Sequence, residues 1–214
     1  QSRIVELNPT NFTVQGVDTD SAGFLTLTSG TFKISGTFAV TNRIFTAAGY
    51  TIPALGGIWL NNPNFVVAGQ NGSPTNSGLF RITQGTYNIG TGSGNSMGFS
   101  SNSSTVVEGG AINTTGRFGV ASSTNAINYT QSAGLITVQT VGNTSTTLAG
   151  FDLGTSTSST INMNGGTVAV QLANTAASGP RDYRNQAGSG ITGVTGGILQ
   201  LGNASSGAAK AFTI

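Results

Sequence analysis

A glycine followed by a short strand-like run recurs along this chain. The runs are SGTFKI, GGIWLN, QGTYNI, GGAINT, AGLITV, GGTVAV and GGILQL, with aligned glycines Gly30, Gly57, Gly85, Gly110, Gly134, Gly166 and Gly197. Successive glycines lie 24 to 32 residues apart. A recurrence in this range indicates a repeat architecture, in which units share one frame and differ in the length of their loops.

The side chains that follow the aligned glycine alternate in polarity. The second residue after it is large and apolar or aromatic in every run: Phe32, Trp59, Tyr87, Ile112, Ile136, Val168 and Leu199. The fourth residue is mostly apolar and the third mostly polar, as in a strand with one buried face. We therefore expect the second and fourth positions to point inward, and Trp59 to be a core residue rather than a platform for sugars.

Two further segments complete the repeat. Mostly apolar residues lie three and five positions before the glycine, and the sets at minus three and plus two are an odd number of residues apart. One straight strand cannot turn both to the same face, so we expect a corner at the glycine, where a positive φ costs little. A third segment places a phenylalanine in successive repeats and predicts an interior stack of Phe38, Phe65, Phe99, Phe118 and Phe151.

Three short strands per repeat predict an all-β fold, a single-stranded right-handed parallel β-helix (a β-solenoid) of about seven to eight coils. It is expected to span residues 25–214, after an irregular first coil or N-terminal segment over 1–24, with projecting loops at 68–78, 90–104 and 171–190. An antiparallel sandwich or barrel is the competing architecture, but it has no need for like side chains at a fixed period. Because nothing follows the AFTI segment to cover a last coil, we expect a piece of a longer protein, or ends that meet other chains.

The composition excludes several kinds of chemistry. Gly, Thr, Ser and Asn make up about half of the 214 residues, and the chain has no His and no Cys. Zinc fingers, haem ligands, iron–sulfur clusters, His-dependent nucleophiles and disulfides are therefore excluded, and no cofactor or metal is expected. A net charge of +2 predicts no nucleic-acid partner. No apolar run approaches the roughly 18 residues of a membrane helix, so direct membrane insertion is not expected.

Carboxylates are the remaining candidates for catalysis, and the sequence has Glu6, Asp18, Asp20, Glu108, Asp152 and Asp182. Asp152 and Asp182 could be neighbours, but one pair without a convergent basic group is weak support for a glycosidase or lyase. We interpret them as solvated corner residues and expect no enzyme and no catalytic residue. Asp18 and Asp20 resemble the start of a calcium loop, whose later acidic residue is missing, and are interpreted as a solvated turn.

One loop is the candidate contact site. Arg181, Asp182, Tyr183 and Arg184 concentrate charge and an aromatic ring in four residues. This combination could contact a partner or a glycan, and local ion pairing on a solvent-exposed loop is the alternative.

The glycine-aligned repeats, in segments such as STINMNGGTVAV and GGILQLGNASSGAAKAFTI, resemble the passenger regions of autotransporters and filamentous adhesins. They are more similar still to Gly/Thr/Ser/Asn-rich surface proteins of Bacteroidetes exported by type IX secretion. The resemblance implies an extracellular location on the bacterial cell surface and a role in adhesion, surface layers or filaments. Asp20-Ser21-Ala22 is similar to the O-glycan acceptor sequence of that phylum.

We therefore expect a non-enzymatic structural or adhesive module of an extracellular bacterial surface protein or filament. Its expected partners are other copies of itself, other surface proteins or cell-surface glycans. A glycan-binding or glycan-cleaving β-helix protein is the alternative. An ice-binding solenoid is disfavoured, since that function needs an outward Thr-x-Thr ladder and only Thr26/Thr28 fits one.

Overall fold

The computed structural model describes residues 3–8, 27–45, 48–179, 181–185 and 191–202. These ranges contain 17 β-strands in two sheets, and no helix is assigned within them. Every strand pairing is parallel. The expected all-β class is thereby confirmed.

Sheet A has 11 strands. They are β1 Ile4–Leu7, β2 Gly30–Ser35, β3 Val40–Asn42, β5 Gly56–Val67, β7 Leu79–Ile89, β9 Ser104–Val107, β10 Ala111–Thr114, β12 Asn128–Gln131, β13 Leu135–Val138, β15 Thr160–Val170 and β17 Ile191–Leu201. Sheet B has six short strands. They are β4 Thr51–Ile52, β6 Thr75–Asn76, β8 Met97–Phe99, β11 Phe118–Val120, β14 Phe151–Asp152 and β16 Tyr183–Arg184.

Six strands of sheet A close into a parallel barrel. Around it the order is β7, β10, β13, β15, β12 and β9, and β9 pairs again with β7. Closure depends on β7 and β15, which have 11 residues each and pair through their two halves with different strands. The first half of β7 pairs with β9 and its second half with β10, while β15 pairs with β12 and then with β13.

The closed barrel and the separate sheet B overturn the prediction of a right-handed parallel β-helix with seven to eight coils, and with it the description as a β-solenoid repeat protein. The sequence period correctly placed pairing partners about one repeat apart. The period could not show that the segments before and after a corner glycine form one continuous strand, as they do in β7 and β15. This continuity joins the neighbouring strand pairs into a ring.

The corner itself is present where the sequence placed it. Six of the seven aligned glycines have a positive φ, Gly57 being the exception. At Gly85, in the middle of β7, φ is 88° and a Cβ atom would lie 2.4 Å from the carbonyl oxygen of Asn62. A side chain is excluded there by backbone conformation and by contact with the neighbouring strand.

The sequence prediction of projecting loops is partly wrong. The predicted loops 68–78, 90–104 and 171–190 contain β6, β8 and β16, three strands of sheet B. Strands of two or three residues are too short to show the alternation used to find strands. Within 1–24, Ile4–Leu7 forms β1 in register with β2, and the rest of that segment beyond residue 8 lies outside the described residues.

The core follows the register between strands. Tyr87, Ile112, Ile136 and Val168 are paired in sequence across β7, β10, β13 and β15, and all four are buried. In the strand segments that precede the corner glycine, Phe80, Tyr129 and Ile161 share one register position and are likewise buried. These pairs confirm most of the predicted inward positions.

All five phenylalanines predicted to stack are buried, but they do not form one column. Phe118 and Phe151 are stacked at 6.4 Å between ring centroids, and Tyr183 continues this stack. Phe99 meets Phe118 edge-on, while Phe38 and Phe65 form a separate edge-on pair.

Candidate functional site

Trp59 lies in a row of charged side chains on the outer face of sheet A. Glu6, Lys33, Trp59 and Arg81 are register partners on β1, β2, β5 and β7. The Lys33 ammonium lies 4.7 Å from the indole centroid, and the Arg81 guanidinium carbon lies 4.1 Å from it. Both cations therefore contact the ring by cation–π interaction, and the indole N–H donates to the Thr83 hydroxyl at 3.0 Å.

Carboxylates terminate this row, which we name the Trp59 row: Glu6, Lys33, Trp59, Arg81 and Glu108. Glu6 lies 2.6 Å from Lys33, and Arg81 donates to Glu108 through two nitrogens, at 2.7 and 3.1 Å. Hydrogen bonds from Lys33, and then from Ser35, lower the pKa of Glu6. The row is consequently neutral overall and internally paired.

The prediction that Trp59 packs in the core is wrong. In the structure Ile58 and Leu60 are buried and Trp59, between them, is only partly buried. The reason is register, because Gly30 pairs with Gly56 rather than with Gly57. An alignment on Gly57, the second glycine of the GGIWLN run, is one residue out of register and places every side chain of the strand on the wrong face.

A buried polar cluster lies on sheet B. The carboxylate of Asp152 accepts two hydrogen bonds from Arg184, at 2.8 and 2.6 Å, and both side chains are buried. Asp152 also accepts from the backbone N–H groups of Ala149 and Gly154. The buried Asp152 carboxylate thus accepts four hydrogen bonds, two of them from a charged donor.

Arg117 and Asp182 extend the cluster. Arg117 donates to the carbonyl oxygens of Ala149 and Val120 at 3.0 Å each. Burial lowers the pKa of Arg117, an effect that the Asp152 charge opposes and the Arg184 charge reinforces. Asp182 is buried and accepts from the Asn174 backbone N–H at 2.6 Å.

Asp152 lies on β14 and Asp182 directly precedes the adjacent strand β16, so the two residues are neighbours, as the sequence allowed, but neither has the surroundings that we expected. Asp152 is the register partner of Arg184, and the Phe151 N–H donates to the Asp182 carbonyl. Both side chains are buried, so the interpretation as solvated corner residues is wrong. Asp18 and Asp20 lie outside the described residues.

The predicted contact loop divides into interior and surface residues. Asp182 and Arg184 belong to the buried cluster, and the Tyr183 ring stacks on Phe151 at 5.6 Å with an interplanar angle of 9°. Arg181 keeps its guanidinium at the surface, where it donates to the Thr146 carbonyl at 3.3 Å. Contact of this loop with a partner or glycan stays a prediction, for which Arg181 supplies the accessible charge.

An uncharged polar surface lies on the outer side of β12 and β15. Asn128 pairs in register with Thr160, and Thr130 with Asn162. Asn128, Thr160 and Asn162 are exposed, while Tyr129 and Ile161 between them are buried. We name Asn128, Thr130, Thr160 and Asn162 the amide face. Neighbouring parallel strands lie about 4.8 Å apart, so these donors and acceptors are regularly spaced.

A cleft of about 270 Å³ is lined by residues of three chain segments, among them Ser93, Val141, Asn143, Leu172 and Thr175. Asn143 is buried, and its side-chain nitrogen has no hydrogen-bond partner. Its oxygen accepts from the Ser145 N–H, which fixes the amide within its own loop. The cleft contains no charged side chain among its lining residues.

No group of three or more His, Cys, Asp or Glu side chains suited to a metal ion occurs in the described parts of the chain. Within the same ranges, no helix long and apolar enough to span a membrane is found.

The fold and sites define an all-β protein with a closed parallel barrel, a buried ion pair and polar outer surfaces. No protein family, curated protein or solved structure compared with the chain matches it.

Proposed function

We propose that this chain is a non-enzymatic structural or adhesive module of an extracellular bacterial surface protein, and that it contacts neutral glycans through the amide face. The observation that best supports this proposal is the environment of the four carboxylates that the structure describes. Glu6, Glu108 and Asp152 each bind a cation, and Asp182 binds a backbone amide in the interior. Each of these carboxylates is engaged by a group of the protein itself, whereas general acid–base catalysis needs carboxyl groups that are free to exchange a proton with a substrate.

The amide face supports the choice of neutral glycans. Amide and hydroxyl groups donate and accept hydrogen bonds without a net charge, which suits sugar hydroxyls. Parallel strands hold these groups in fixed positions, so little side-chain order is lost on binding. Each contact is weak in water, and binding gains strength when many copies are displayed together.

The test is a neutral-glycan array probed with the protein displayed in many copies. We expect retention of some glycans and a loss of at least tenfold in retention for Asn128→Ala/Asn162→Ala. The matched control is Asn88→Ala/Asn113→Ala, which removes a hydrogen-bonded amide pair from other strands. Retention unchanged by the first variant, or release of reducing ends or unsaturated sugars, would contradict the proposal.

A further inference from the structure

Two outer strands of sheet A, β1 and β17, leave core positions uncovered. Within the described residues β1 pairs with β2 and β17 pairs with β15, and neither has a described strand on its other edge. Val5 of β1 is 66% exposed, although its register partners further along the sheet, Ile58 and Phe80, are fully buried.

β17 shows the same feature at the opposite end. Val194 is 52% exposed and Leu199 is 40% exposed, whereas their partners on β15, Met163 and Val168, are buried. Apolar side chains that face the core direction are thus open to solvent on both outer strands. Such edges are templates for pairing with another strand.

We propose that copies of this chain associate head to tail, with β17 of one copy pairing with β1 of the next. This proposal goes beyond the proposed function and does not depend on it. All strands of sheet A run in the same direction, so a second copy displaced along the sheet presents β1 to β17 in the parallel orientation already used throughout. The contact is heterologous, because it joins different edges of the two copies.

The register of the sheet fixes which residues would meet. Across the sheet, the successive register partners of Val5 are Phe32, Ile58, Phe80, Thr105, Tyr129, Ile161 and Ile191. Two residues further along each strand, and three further along β17 because of a register shift there, the successive partners of Leu7 are Ile34, Leu60, Ile82, Val107, Gln131, Met163 and Val194. If the second copy continues this register, its Val5 pairs with Ile191 of the first copy and its Leu7 pairs with Val194.

Charge does not oppose this pairing. Glu6, the only charged residue of β1, is already paired with Lys33, and its level on β17 is occupied by Gly193. The strand that β1 would meet has no charged residue over Ile191–Leu201. Burial of the exposed Val5 and Val194 side chains then supplies a favourable free energy for association.

The experiment compares two lysine variants of the full chain by sedimentation velocity, alone and mixed. Val5→Lys blocks the β1 end and leaves β17 intact, while Val194→Lys does the reverse. The wild-type protein should form species that grow with concentration up to the submillimolar range. Each variant alone should remain monomeric, and an equimolar mixture should form a species of twice the mass and none larger.

Controls separate this contact from others. Val141→Lys changes an exposed valine away from both edges and should associate like the wild type. Circular dichroism should show that all variants are folded, since the replaced side chains are already exposed. A monomeric wild type, a monomeric mixture, or dimers of either variant alone would overturn the proposal.

Discussion

The Asp152 carboxylate and the Arg184 guanidinium form a two-contact ion pair in the protein interior, with N to O distances of 2.8 and 2.6 Å. Each residue belongs to a two-residue strand of sheet B, so the pair fixes the register of β14 and β16 as well as neutralising two buried charges.

We expect Arg184→Met to lower the free energy of unfolding by about 3–5 kcal/mol, because it leaves the Asp152 carboxylate buried without its cation. Urea denaturation at neutral pH measures this. Arg181→Met is the matched control, and since its guanidinium lies at the surface we expect a change within about 0.5 kcal/mol. Equal effects of the two substitutions would contradict the role assigned to the pair.

Arg81 should contribute to stability through Trp59 as well as through Glu108. We expect Arg81→Ala to cost about 1 kcal/mol, since it removes a cation–π contact and a surface ion pair. Arg81→Lys keeps the charge but loses the two-nitrogen contact with Glu108, and its effect should be smaller. Trp59 is the one tryptophan of the chain, so its fluorescence should change in both variants. An unaltered spectrum in Arg81→Ala would show that the cation does not contact the ring.

The lowered pKa of Glu6 predicts that the free energy of unfolding decreases at acid pH. Hydrogen bonds from Lys33 and Ser35 hold its pKa below the ordinary value of 4.5. Its contribution is therefore complete above the unfolded-state pKa and is lost as the pH falls through the lower folded-state pKa. We expect the urea midpoint to decline less steeply below about pH 4.5 in Glu6→Gln than in the wild type. Parallel declines in the two proteins would count against the Glu6–Lys33 interaction.

All four tyrosines should resist ionisation in the folded protein. Burial is the largest cause that raises the pKa of Tyr50, Tyr87, Tyr129 and Tyr183, and Tyr50 and Tyr87 also share a hydrogen bond between their hydroxyls. Ultraviolet absorbance should therefore show little phenolate near pH 10 until the protein unfolds. Because the folded-state pKa values are raised, this contribution to stability is present below the unfolded-state pKa and is lost at higher pH. A normal titration of the folded protein near pH 10 is the contrary result.

The corner at Gly85 should not tolerate a side chain. We expect Gly85→Ala to destabilise the protein by at least about 1–3 kcal/mol, because φ is 88° and the new Cβ would overlap the Asn62 carbonyl. Gly94→Ala is the matched control, since no atom lies within 4 Å of a Cβ there. Its effect should be neutral or a gain of up to about 1 kcal/mol. Thermal denaturation of both variants compares them, and a tolerated Gly85→Ala would show that the corner can relax.

Sequence reasoning found the all-β class, the corner glycines and most of the inward positions, since these depend on local polarity and on the special conformations of glycine. It assigned Trp59 to the wrong face because adjacent Gly56 and Gly57 offered two alignments, and a shift of one residue reverses a strand. Closure of the barrel was not predictable, because it depends on how the halves of β7 and β15 are paired in space.

The buried ion pair was missed although the sequence carries a signal for it. Asp152 and Arg184 each lie 18 residues after an aligned glycine, Gly134 and Gly166 respectively, and Phe151 and Tyr183 each lie 17 after it. Extending the alignment this far would have paired both sets. The amide face was not identified because single Asn and Thr residues are common throughout the chain, and only the register places four of them together.

Parallel pairing also has a kinetic consequence. Each strand pair joins residues at least 20 positions apart in the sequence, as in Phe80 with Thr105 or Tyr129 with Ile161. The chain must therefore lose much of its conformational entropy before stabilising contacts between strands can form. Proteins with such topologies fold slowly, over milliseconds to seconds or longer. During this time the apolar side chains and unpaired strand edges of newly synthesised copies are exposed to solvent. The edges of β1 and β17 can then pair incorrectly with other chains.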